Sequence, residues 1–196
     1  MTITYELNNS LYLNLTNACS CNCTFCERNN ADGINPGESL WLEREPTREE
    51  ILEALSNVNF EKYKEIVFCG YGEPTMRLDT LLEIGRYLKK NQNLPIRLNT
   101  NGLSDLVNHK KTASLLAECI DHVSISLNAP NAKAYYHMCV PAYGEGSFDA
   151  LIQFAKDCKE YIKEVTLSIV GHTLDKKSIE ECQALSDSLG ITLRIR

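Results

Sequence analysis

The chain has 196 residues and a formal net charge of −6, with 43% hydrophobic and 23% charged residues. That length suits one domain with a full core, here residues 1–196. The charge balance excludes a general electrostatic drive toward nucleic acid or acidic membranes, leaving only a local basic patch open, and no apolar run approaches the ~20 residues of a membrane span.

The opening MTITYELNNS has neither a basic n-region nor a long apolar stretch, so no secretion signal is expected. Nine cysteines without such a signal point to a reducing cytoplasm. Ile3–Leu7 and Leu11–Leu15 read as a hairpin turning at Asn8-Asn9, the second arm being the first core strand.

Cys19 to Cys26, CSCNCTFC, follows that strand and carries four thiols in eight residues. Cys19, Cys23 and Cys26 form a C-x3-C-x2-C triplet. Three thiolates on a tight loop can hold three irons of a 4Fe–4S cluster and leave the fourth iron open. Zinc or a disulfide knot are the other chemistries for clustered thiols. Closed zinc sites usually draw two ligand pairs from separated segments, and no second C-x2-C or H-x3-H follows. Cys21 falls outside the triplet spacing. Cys69, Cys119, Cys139, Cys158 and Cys182 are scattered singly through apolar patterns and read as buried inert thiols.

Residues 29–46 form a long irregular stretch, which suits either a functional loop or a plain surface loop. Arg28, Trp41 and Arg44 are its chemically notable side chains. Thr47-Arg48-Glu49-Glu50 is a capping box opening a helix to about Val58. Glu65–Cys69 is a buried strand followed by Gly70-Tyr71-Gly72-Glu73-Pro74. Its glycines let the backbone turn sharply and approach a ligand, and its glutamate can take a cationic amine. A helix over Leu78–Lys90 leads to a strand at Ile96–Thr100, ended by Asn101-Gly102.

A helix within Leu106–Ile120 precedes the strand His122–Leu127, with Ser124 and Ser126 on one face. Asn128-Ala129-Pro130 ends that strand, and a short helix lies near Ala132–Cys139. Ser147 caps a helix over Phe148–Lys163, Val165–Val170 is a strand closed by Gly171, Ser178–Leu189 is a helix stopped by Gly190, and Ile191–Ile195 is the last strand. The fold class is α/β: a partial (β/α)6 barrel, an incomplete TIM-like barrel, with an N-terminal β-hairpin. The polar motifs all follow strand C-termini, the edge where α/β folds assemble their sites.

The cysteine triplet with Phe25, the GYGEP turn and the TNG after the next strand together resemble the radical S-adenosylmethionine (SAM) superfamily, over nearly all of the chain. The CERN, SISLNAP and SF segments and the arginine-rich last strand are similar to small radical SAM proteins linked to the nuclease family TatD. The resemblance implies that Cys19, Cys23 and Cys26 ligate a 4Fe–4S cluster, with SAM bound to the fourth iron. Reductive cleavage then yields a 5′-deoxyadenosyl radical that takes hydrogen from an unidentified substrate. It further implies that Gly70, Gly72 and Glu73, with Tyr71 interposed, contact the SAM amino group, and that Phe25 lies beside the adenine. Ser126, or Ser124 two residues earlier, reaches the ribose or carboxylate. Val170, Gly171 and His172 back the adenine. Asn99 and Asn101 line the site or serve strand-end hydrogen bonds.

An electron donor such as flavodoxin or ferredoxin is implied as a partner, and a single cluster is expected. Residues 29–46, a second protomer or a macromolecular substrate would close the barrel mouth. Arg194 and Arg196 share a sheet face, either to bind an anionic substrate group, as Arg28 and Trp41 also could contact substrate, or as solvated end charges. The competing readings are a glycyl-radical activase acting on a protein, a 7-carboxy-7-deazaguanine-synthase-like enzyme and a non-catalytic zinc-binding regulator.

Overall fold

The computed structural model describes residues 1–29 and 39–196. The turn motifs Asp32-Gly33 and Asn35-Pro36-Gly37 lie outside the described residues. Strands β1 (Thr4–Leu7) and β2 (Ser10–Leu13) form the hairpin, and Asn8 and Asn9 take left-handed φ values of 50° and 59°. Two such residues make the tight turn whose twist matches the strands. Parallel strands follow in chain order: β3 (Glu65–Phe68), β4 (Ile96–Thr100), β5 (His122–Ser126), β6 (Glu164–Ile169) and β7 (Thr192–Ile195). The sheet runs β1 to β7 without permutation. β2 to β7 are the six parallel strands of the expected partial barrel, and the sheet is not closed.

Helices α1 (Arg48–Ser56), α2 (Leu78–Asn91), α3 (Ser104–Asn108), α4 (Ala113–Leu116), α5 (Ala132–Cys139), α6 (Ser147–Tyr161) and α7 (Lys176–Leu189) connect the strands. They bury one sheet face. Leu11, Leu13, Ile66, Phe68, Leu98, Val123, Ile125 and Leu167 meet Ile51, Leu81, Leu88, Leu151 and Phe154 in one core. Alternation turns the other residues of each strand to the opposite, concave face.

Three local expectations are corrected. The helix expected within Leu106–Ile120 is two, α3 and α4. His109 ends α3 with φ 52°, and the Asp105 carboxylate accepts from Thr112 N and Oγ1 at 2.9 and 2.8 Å, a local bond that competes with continuous helix. Ser147 does not cap α6: Gly146 holds that position, and the Ser147 hydroxyl is buried without a partner. α7 starts at Lys176 because Asp175 accepts from Ser178 N at 2.8 Å. The expected capping box on α1 is present: Thr47 N donates to Glu50 Oε2 at 2.8 Å and Glu50 N donates to Thr47 Oγ1 at 3.3 Å. Among the described residues, no helix is long and apolar enough to cross a membrane.

Candidate active site

The cysteine loop leaves β2 at the C-terminal edge of the sheet. Its second half lies along the end of α5 and the residue after it. Asn22 N donates to the Cys139 and Val140 carbonyls at 3.1 and 3.2 Å, and Thr24 N to the Met138 carbonyl at 2.9 Å. Cys21 is buried, its sulfur 3.8 Å from the Tyr135 hydroxyl. Cys19, Cys23 and Cys26 stay half-buried. The loop thus turns the odd cysteine inward and leaves the triplet accessible.

Cys139, expected to be inert, packs against this group. Thiol hydrogen bonds from Cys139 and Cys21 hold the Cys23 thiol down to about 4, and the same bonds, with burial, push Cys21 and Cys139 well up. Burial and the charge of Glu73 push the Cys19 thiol up to about 11. A metal ligand must be a thiolate, and the thiol hydrogen bonds from Cys139 and Cys21 shift Cys23 in that direction.

The GYGEP turn sits directly on the stem of this loop. Gly72 N donates to the Thr16 carbonyl at 3.1 Å, and Glu73 N to the Ala18 carbonyl at 2.8 Å. A Cβ on Gly72 would stand 2.3 Å from the Thr16 oxygen, and one on Gly70 2.0 Å from Asn14 Oδ1. The glycines are needed because two backbones touch there.

The Glu73 carboxylate does not point outward to meet an amine. It is buried and receives Thr75 N, Thr75 Oγ1 and Thr100 Oγ1 on Oε1 at 3.1, 2.8 and 2.9 Å, and Asn101 N on Oε2 at 2.7 Å. Burial raises its pKa against these four donors. Its chemistry is to lock the ends of β3 and β4 together. Asn101 extends the lock to the cysteine loop, donating to Ser20 Oγ at 2.9 Å with the Cys21 and Cys19 sulfurs at 3.6 and 3.8 Å.

The remaining predicted residues separate. Phe25 is half-buried against the core beside Cys23. Tyr71 is buried with Tyr5, Tyr12, Val67 and Leu40, and Trp41, half-exposed, meets its ring edge-on at 5.2 Å. Asn99 accepts from Arg97 at 3.0 Å on the concave face. Ser124 is buried on that face, and Ser126 accepts from Arg196 at 3.5 Å. Val170 precedes the short turn Gly171–Thr173, and His172 is exposed. Arg28 turns back to the Cys21 carbonyl and Asn22 Oδ1 at 3.3 and 3.2 Å, and Arg44 pairs with Glu50, its Nη1 lying 2.7 Å from Oε2. Both therefore hold local structure in this conformation.

Residues 39–46 run beside the loop stem. Asn14 donates to the Leu40 carbonyl at 2.7 Å, Asn17 exchanges bonds with Leu42 at 2.7 and 3.0 Å, and Thr16 donates to Glu45 at 2.7 Å. Asn128, Tyr135 and Cys139 were not marked by the sequence as site residues. Asn128 has φ 55° and a buried Oδ1 without a partner at the end of β5. The available signal was an asparagine at a strand end, the residue that tolerates that conformation.

The donor set fits an iron–sulfur cluster: three half-buried thiols on one loop, beside a turn whose Gly70 and Gly72 let two backbones touch. Among the described residues no three His, Cys, Asp or Glu side chains converge on a point for a single metal ion. The fit therefore rests on the thiols and their common loop.

The molecule is an open α/β barrel with a cysteine loop at its C-terminal edge. The sequence profile of the radical SAM superfamily matches residues 13–185, and the chain belongs to that superfamily. Its members are enzymes that use a 4Fe–4S cluster and SAM. Over 184 residues the chain is 29% identical to the probable GTP 3′,8-cyclase of Saccharolobus solfataricus, covering 92% of this chain and 54% of that protein. Over 165 residues it is 27% identical to a Methanocaldococcus jannaschii protein carrying the name glycyl-radical enzyme activating enzyme, covering 83% and 62%. A radical SAM methyltransferase from Sphaerobacter thermophilus shares the fold with TM-score 0.68 at 19% identity, over 98% of this chain and 57% of that one. The chain thus spans little more than half the length of these relatives.

Proposed function

We propose that Cys19, Cys23 and Cys26 hold three irons of the cluster, that the backbone of the 70–73 turn receives the amino end of SAM, and that substrate enters over the concave face. The observation that carries this reading is the seating of Gly72 and Glu73 on Thr16 and Ala18, which puts the glycine turn against the stem of the cysteine loop. When bound there, the cluster and SAM would supply one-electron, radical-generating chemistry at the mouth of the sheet. The chain's own residues hold and orient. Glu73 and Asn101 fix the loop to β3 and β4, Cys21 and Tyr135 anchor it inward, and Leu40 and Leu42 cover the stem from water. The unpartnered Asn128 Oδ1 is suited to accept from a ligand hydroxyl or amine. Ser126, with Ser124 behind it, is suited to the ribose or carboxylate, and Phe25 and Val170 to the adenine.

The relative named as a glycyl-radical activating enzyme favours a protein substrate as the second reading. The resemblance to TatD-linked members, a flavodoxin or ferredoxin donor and a cytoplasmic location are carried with the first. Anaerobic reconstitution tests the assignment. The wild-type chain should take up about four irons and release 5′-deoxyadenosine on reduction with SAM. Cys23→Ala should do neither, and SAM cleavage by that variant would overturn the ligand set, as would one zinc without sulfide in the purified protein.

A further inference from the structure

The concave face has two chemistries. Over β1 to β3 it is aromatic, with Tyr5 stacked on Tyr12 at 4.9 Å and both packed with Val67 and Tyr71. Over β4 to β7 it is polar and cationic. Arg97 is neutralised there: its Nε and Nη2 donate to Glu65 at 3.0 and 2.9 Å. Arg194 and Arg196 occupy the same face of β7, with Arg194 in register with Ser168.

Arg196 is no loose end. Its N donates to the Ile169 carbonyl and its carbonyl accepts from Gly171 N, both at 2.9 Å. From that fixed backbone its guanidinium crosses β6 to Ser126 on β5 at 3.5 Å. Burial disfavours its charge there, Cys69 and Glu27, on the turn after the cysteine loop, favour it, and Arg194 repels it, as does Arg97 to the extent that its pair with Glu65 leaves it charge. The acid on β6, Glu164, lies four residues before Ser168, about 13 Å down the strand, and stands 4.0 Å from His122. Like charges gathered over one sheet face repel one another, and an anion between them relieves that repulsion.

We propose that the β6–β7 wall of the concave face is a subsite for an anionic group of the substrate, a carboxylate or a phosphate ester, clasped by Arg194 and Arg196. The inference deepens the reading of the site given above, but anion binding itself needs no cluster.

The test is calorimetric titration of the full chain with inorganic pyrophosphate and, separately, citrate, to tell the phosphate class from the carboxylate class. Saturable binding of either at one site is expected, weakened about tenfold or more in Arg194→Gln and Arg196→Gln by loss of charge-assisted bonds. Arg196→Lys, which keeps the charge, should recover part of it, and Lys163→Gln at the opposite end of the barrel should bind like wild type. Equal binding in wild type and both glutamine variants, equal loss in Lys163→Gln, or no saturable binding of either anion would overturn the proposal. So would a loss confined to SAM affinity in the reconstituted variants, which would assign the arginines to the SAM carboxylate. The wild-type chain without its cluster should bind the anion normally. Binding retained there while reconstituted wild type fails to cleave SAM would sink the cluster assignment and leave the subsite standing.

Discussion

Gly72 and Glu73 are neighbours with opposite constraints. Gly72 must have no side chain, because the Thr16 oxygen would stand 2.3 Å from a Cβ. Gly72→Ala should push the turn off the loop stem and cost about 3 kcal/mol, read as a lower urea midpoint, with reduced iron uptake on reconstitution. Glu73 must keep both oxygens, because four donors converge on them. Glu73→Gln turns an amide NH2 toward at least one of those donors and should cost about 2–3 kcal/mol at nearly unchanged volume. The same measurement checks it, and a change under 0.5 kcal/mol would contradict the described network. The GYGEP string was legible as a sharp turn. That its carboxylate faces inward was not, because the donors lie up to 28 residues away, at Asn101.

The capping box on α1 is local, and the sequence specified it: Thr47 and Glu50 satisfy each other's backbone donors. Thr47→Ala should cost about 1 kcal/mol, seen in thermal or urea melts. The α3–α4 break was not specified by apolar spacing, which is compatible with one helix. Asp105 decided it by bonding Thr112.

Between strands, Glu65 joins Ser10, Arg97 and, through Arg97, Tyr12. Burial alone would raise the Glu65 carboxylate, but Arg97 and Ser10 outweigh it and hold it below its ordinary value. The folded value is thus below the unfolded one of about 4.3. The stabilisation is complete above that pH and is lost as pH falls through the folded value. Wild type should lose on the order of 1 kcal/mol more than Glu65→Gln between pH 7 and pH 3, a figure kept small by Glu65's partial exposure. Urea titrations at the two pH values measure the difference.

Taken whole, the molecule is a curved sheet with an apolar convex side under helices and a concave side that changes from aromatic to cationic. Ligand binding at its mouth should couple to global stability. SAM at a hundred times its dissociation constant should stabilise the reconstituted protein by about 2.7 kcal/mol, read as a rise in Tm that Cys23→Ala lacks.

The sequence by itself determined the βα order, the hairpin turn, the α1 cap and the cysteine triplet, because each is written in residues a few positions apart. Only the tertiary structure decided that Cys21 faces Tyr135, that Cys139 joins the thiol group, and that Arg196 reaches Ser126. Those pairings span strands and crossover helices. Which side chains meet there follows from sheet register and curvature, properties of the assembled chain that no local stretch encodes.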